Sequence, residues 1–131
     1  MNIKELAEGL REGRWTSEEL AMYTLDRIAS EDSSGHCLNS IAEINPDVLF
    51  TARALDAEMK TKGPRSLLHG IPVVIKDNIN VKDTMHTTAG SLALNDLITA
   101  EDAFITKKTE RSRSFDYRQS KSFRVCALDG Q

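Results

Sequence analysis

In the N-terminal half of the chain, apolar residues return at helical intervals, and the polar residues between them mark where each helix starts and stops. Asn2 stands ahead of Leu6 and Leu10, so it is expected to cap a short helix that Gly13 ends. Thr16 and Glu19 have the spacing at which a hydroxyl and a carboxylate satisfy each other's backbone N–H groups. Behind them Leu20, Ala21, Thr24, Leu25 and Ile28 fall on one stripe, with Glu18, Met22 and Asp26 mostly outward. Glu31 to Gly35 predicts a loop, and the alternation from Leu38 to Ile44 predicts a strand. Asn45-Pro46-Asp47 predicts a helix start with Asn45 as cap, and Gly63-Pro64 predicts its stop. Val48, Ala52, Leu55 and Met59 recur at steps of four and three, which predicts a buried face with Arg53, Asp56 and Lys60 in water. Ile71 to Ile75 predicts a buried strand, with Pro72 near its start or on an edge. Asn78, Asn80 and Asp83 favour loops, and Thr99 with Asp102 is expected to cap a last helix that includes Ala103 and Ile105.

The order helix, helix, strand, helix, strand, loop, helix predicts an α/β or mixed architecture. Two strands do not make a stable sheet. Either strands come from a partner, or the sequence is a piece of something larger. With 131 residues, 40% of them hydrophobic and a net charge of −3, one mildly acidic core is expected. Charge is nevertheless uneven: residues 1–106 carry −7, whereas residues 107–124 carry +5. From Thr109 to Arg124 no apolar period is sustained, so a basic, poorly ordered tail over residues 109–131 is expected behind a body of residues 1–108. The apolar run Ile71 to Ile75 is too short to cross a bilayer, and the acidic start does not fit a signal peptide, which makes the cytoplasm the expected location. Cys37 and Cys126 belong to no metal or redox spacing and are expected to be free thiols.

The segment Leu68-His69-Gly70-Ile71-Pro72-Val73-Val74-Ile75-Lys76-Asp77-Asn78-Ile79, followed by Thr87-Thr88-Ala89-Gly90-Ser91, sets a lysine at the end of an apolar strand. On the residues alone two readings stand. A lysine closing a strand is ordinarily solvated; alternatively, neighbours such as Val74 desolvate the amine and make it available as a base.

These two motifs, with Asp102-Ala103 after them and Ala54-Leu55-Asp56-Ala57 in the helix before them, resemble the opening of the amidase signature family. The likeness spans about residues 1–108 and is most specific from Leu68 to Ser91. It implies an incomplete N-terminal part of a mixed sheet flanked by helices, from enzymes that hydrolyse amides with a Ser, cis-Ser, Lys triad. Lys76 then corresponds to the catalytic lysine, which takes a proton from the cis-peptide serine that in turn activates the nucleophile. The family's serines lie in a Gly/Ser-rich segment, whereas the seven glycines here stand singly. Ser91 belongs to the second motif and is not read as a nucleophile. An inactive, truncated fragment is the resulting expectation.

The likeness stops near Thr109. With a suitable choice of codons, residues 112–124 read one base later give Ala-Gly-Ala-Leu-Ile-Ile-Gly-Lys-Ala-Asn-Leu-Ser-Glu, which is the family's kind of sequence. Phe115, Asp116 and Gln119 leave little freedom in that shifted reading. The expectation is a frameshift near codon 109 and a pseudogene product with an out-of-frame tail. Sequencing the locus tests it: a downstream region with no Gly/Ser-rich frame removes the idea.

His36, His69 and His86 have no metal-ligand spacing, so neither a metal nor a cofactor is expected. His69 is expected to pack a turn beside Gly70, and Asp77 and Asn78 to organise the turn after the lysine. The partners implied are a small amide substrate, once the missing part is supplied, and a separately encoded remainder. No membrane partner is expected. An alternative class is a small non-enzymatic binding module whose tail, with Arg111, Arg113, Arg118, Lys121 and Arg124 among Phe115, Tyr117 and Phe123, grips nucleic acid or an acidic partner. Salt-dependent binding lost on removing residues 109–131 would favour that module.

Overall fold

Local capping chemistry sets the first two helices. The computed structural model describes residues 2–82 and 84–111. Helix α1 (Ile3–Arg11) starts at Asn2, whose side chain accepts the Glu5 N–H at 3.0 Å while Glu5 returns the bond to the Asn2 N–H. Helix α2 (Ser17–Arg27) repeats the device with Thr16 and Glu19. Each box satisfies two orphan N–H groups and puts a carboxylate at the positive end of the helix. In the corner between the helices, Trp15 lies so close over Gly9 that a Cβ at Gly9 would sit 2.1 Å from the indole Cδ1.

Helix α2 continues into a π-helical turn (Ile28–Ser33), where a loop is expected from the polar sequence. The turn brings the buried Asp32 carboxylate to residues 40 and 41, and it accepts the N–H and hydroxyl of Ser40 and the N–H of Ile41. Those bonds compete with any ladder. Leu38 to Ile44 accordingly forms no strand, and only Ile44 makes an isolated bridge.

Helix α3 (Val48–Lys62) begins two residues later than the Asn-Pro-Asp signal predicts if Asn45 is its cap. Asn45 is instead buried, its side chain accepting the Asp47 N–H and its carbonyl the Val48 N–H, so it shapes the turn ahead of the helix. Gly63 ends α3 in the left-handed region, as its place after the last apolar repeat predicts. Val48, Ala52 and Leu55 are buried as expected. Asp56 is not in water: its two oxygens accept the N–H groups of Ser17 (2.6 Å) and Glu18 (3.1 Å), capping α2 from α3.

Two small apolar clusters straddle the α2/α3 contact. Ala7, Leu10, Leu20 and Ile71 form one, with Leu6 and Met59 against it, and Ala21, Val48 and Ala52 form the other, with Leu25 and Leu49. After α3 the chain turns on an Arg65–Glu58 ion pair and on His69, then runs without regular secondary structure from Ile71. A short 3-10 turn (Leu92–Leu94) and helix α4 (Phe104–Arg111) complete the described part. Helix α4 starts at Phe104, one residue past the Ala103 expected inside it. Thr99 donates to the Val81 carbonyl and Asp102 accepts the Lys82 N–H, which ties the approach to α4 against residues 81 and 82.

The expected mixed sheet is absent from the described residues: the Ile71 to Ile75 segment forms neither helix nor strand. A ladder needs a neighbour, and none of the described segments supplies one there. No described helix is long and apolar enough to cross a membrane.

Candidate functional site

The two halves of the sequence motif meet through one carboxylate. Asp77, 5% exposed, accepts the Thr88 backbone N–H at 2.8 Å and also the Thr88 hydroxyl. The first half reaches Asp77 by a turn closed by the Ile79 N–H on the Lys76 carbonyl at 3.0 Å. The second half is a tight turn in which Ser91 N–H bonds to the Thr88 carbonyl at 2.9 Å. Ala89 and Gly90, its central residues, both have positive φ, the geometry of a primed turn. Gly90 takes that conformation freely, whereas Ala89 holds it at a cost of about 1–2 kcal/mol.

Lys76 is exposed and ends the Ile71 to Ile75 segment immediately before Asp77. Val74, the neighbour that the desolvated-base reading of the residues invokes, is itself 58% exposed. Behind the segment, His69 is 2% exposed and packs the turn: Nδ1 faces the Arg65 N–H and Nε2 the Leu55 carbonyl at 3.0 Å. A carbonyl can only accept, so these partners select the Nε2–H tautomer. Gly70 follows at φ 77°, and a Cβ there would lie 2.1 Å from the Ser17 hydroxyl oxygen. That close approach docks the start of the lysine segment on the first turn of α2.

Beside the Asp77–Thr88 junction is a cavity of about 390 Å³ lined by Glu43, Asp77, His86, Thr88, Asn95 and Asp96 among others. His86 is held there by Glu43, which accepts its backbone N–H at 2.9 Å and lies 3.2 Å from Nδ1. The sequence gives no local signal for Glu43 or Thr88, because their partners lie 43 and 11 positions away. His36 is exposed and stands apart, and the described residues hold no cluster of three metal-ligating side chains. Cys37 is an exposed free thiol. Cys126 and the basic tail residues from Ser112 onward lie outside the described residues.

Residues 19–112 match the family model described as Amidase. The chain belongs to the amidase family. A probable amidase of Arabidopsis thaliana is 37% identical over 112 residues, covering 84% of this chain and 21% of the relative. Among solved structures, native peptide amidase from Stenotrophomonas maltophilia superposes with a TM-score of 0.82 at 32% identity, over 96% of this chain and 24% of that one. An amidase family protein from Bacillus anthracis superposes with a TM-score of 0.81 at 36% identity, over 97% and 24%. This amidase-family chain thus spans between a fifth and a quarter of the length of these relatives. The matched region contains both halves of the motif joined at Asp77.

Proposed function

We propose that this chain is the lysine-bearing part of an amide hydrolase, with Lys76 as the proton acceptor at the end of the relay. The observation that carries the reading is the buried Asp77 carboxylate, which locks the turn after Lys76 to the Thr87–Ser91 turn. A general base must keep its nitrogen in one place to meet a serine hydroxyl, and this clamp fixes the backbone from which the amine projects. In the proposed reaction Lys76 takes the proton of one serine, which takes that of the nucleophilic serine. The nucleophile's oxygen bonds to the amide carbon, and the proton passes back to the departing amine as the carbon–nitrogen bond breaks. Water then cleaves the acyl ester. The Gly/Ser-rich segment that the resemblance implies has no counterpart in residues 1–131, so the proposed relay needs serines from outside them and these residues alone are expected not to turn over amides.

The test is a chimera in which residues 1–108 replace the matched segment of the Stenotrophomonas peptide amidase. We expect amide hydrolysis, and a loss of roughly 10²- to 10⁴-fold in kcat on Lys76→Ala. Unchanged turnover by the Lys76→Ala chimera overturns the role of Lys76. Turnover by the isolated chain overturns its inactivity.

A further inference from the structure

Three successive backbone N–H groups at the entry to the Thr87–Ser91 turn go to three different parts of the chain. His86 donates to Glu43 at 2.9 Å, Thr87 to the Leu97 carbonyl at 2.9 Å, and Thr88 to Asp77 at 2.8 Å. Two of the acceptors are carboxylates, and both line the cavity beside the turn. Asp77 is the one next to Lys76. Glu43 lies in a segment whose own place is set by the buried Asp32, which accepts hydrogen bonds from Ser40 and Ile41. The route from the π-helical turn to the lysine is therefore continuous. Asp32 holds residues 40 and 41, Glu43 holds His86, and Asp77 holds Thr88.

Glu43 grips His86 twice. One oxygen takes the backbone N–H, and the other lies 3.2 Å from Nδ1 of the ring. An ionised carboxylate only accepts, so the second contact is a hydrogen bond when Nδ1 carries its hydrogen, in the neutral ring or in the imidazolium. The charged groups that line the cavity with His86 are Glu43, Asp77 and Asp96, all acidic, so a charged ring meets no like charge among them. We propose that Glu43 is a positioning residue for Lys76: through His86 it fixes the Thr87–Ser91 turn, and through Thr88 and Asp77 that turn fixes the backbone from which the amine projects. The proposal rests on the reading of Lys76 as proton acceptor, and adds to it a residue that touches no reacting atom. A misplacement of about 1 Å costs a catalytic group about a hundredfold in rate, which gives a remote anchor a measurable effect.

The test measures amide-exchange protection, relative to intrinsic rates, in the full chain at pH 5 and pH 8. Glu43→Ala removes both contacts. It should lower protection about tenfold or more at His86, at Thr88 and at Ile79, whose N–H closes the turn on the Lys76 carbonyl, while amides of α2 and α3 keep theirs. Glu43→Gln is the conservative variant. Its single carbonyl oxygen still accepts the backbone N–H, and its NH2 group donates to Nδ1 of a neutral ring, but it has no second acceptor for a charged one. An imidazole passes from neutral to charged between these pH values, so Glu43→Gln should match the parent at pH 8 and fall about tenfold below it at pH 5. A side chain that only fills space gives no such split, because Glu and Gln have the same shape. In the chimera, Glu43→Ala should lower kcat about ten- to a hundredfold with KM within about twofold of the parent. Parent-like protection in Glu43→Ala overturns the proposal, as does Glu43→Gln indistinguishable from the parent at pH 5. So does lost protection throughout α2 and α3 in both variants, or a parent-like kcat for the Glu43→Ala chimera where Lys76→Ala has lost turnover. A Lys76→Ala chimera that turns over like the parent removes the relay, and leaves the hold of Glu43 on the turn to be decided by exchange.

Discussion

Gly70 and Ser17 illustrate how much one contact controls. The left-handed φ of Gly70 and the 2.1 Å approach of its virtual Cβ to Ser17 are two separate penalties for any side chain there. Gly70→Ala should therefore cost about 2–4 kcal/mol, read from urea midpoints. The Ser17 hydroxyl is buried with no hydrogen-bond partner among the described residues. In a Ser17→Ala background the Gly70→Ala cost should fall to the conformational share of about 1–2 kcal/mol. An unchanged cost would mean that the contact is not what limits the site. Asp32 makes a second residue-level prediction. Hydrogen bonds from the Ser40 hydroxyl and N–H hold its carboxyl below the ordinary carboxylate range, and Ile41 adds a smaller share. A depressed acid stabilises the fold above its unfolded value of about 3.9 and loses that contribution as pH falls through the folded value. Protection of the Ser40 and Ile41 amides from exchange, measured relative to their intrinsic rates, should accordingly fall as pH drops below the ordinary carboxylate range. Neither effect is legible in the sequence, where Gly70 reads as a turn residue and Asp32 as part of a polar loop.

Among the elements, those whose instructions are local were legible and those that depend on distant partners were not. The cap at Asn2 and the Thr16–Glu19 pair both act within three residues, so the starts of α1 and α2 follow from local sequence. Asp56 lies 39 positions from Ser17, and its pattern position on α3 gives no hint that it caps α2. Asp56→Ala should uncouple the two helices and cost about 1–2 kcal/mol in chemical denaturation, with Lys60→Ala on the exposed side of α3 near neutral. Equal effects of the two substitutions would remove the cap from the account. The two strand expectations failed for a related reason. Alternation shows which side chains share a face, but a strand exists only when another backbone pairs with it, and at Leu38 to Ile44 the Asp32 carboxylate takes the donors instead. At the site, the lysine motif and its turn were recognisable from their residues. Their junction at Asp77 and Thr88, and the Glu43–His86 contact beside it, come from tertiary structure.

On the scale of the whole molecule, two small clusters of mostly short side chains support a surface rich in exposed Leu, Ile, Val and Phe. Such a balance predicts a low-cooperativity thermal transition and strong binding of a hydrophobic dye by the isolated chain. A narrow melt from a monomer with no dye binding would contradict it. Trp15, closed over Gly9, is the sole tryptophan of the chain. The corner joining α1 to α2 therefore carries its own fluorophore, and emission from it follows the parting of those two helices while the region around Lys76 stays optically silent. A denaturant titration in which the emission maximum moves ahead of the far-ultraviolet ellipticity would date the loss of that corner relative to everything else.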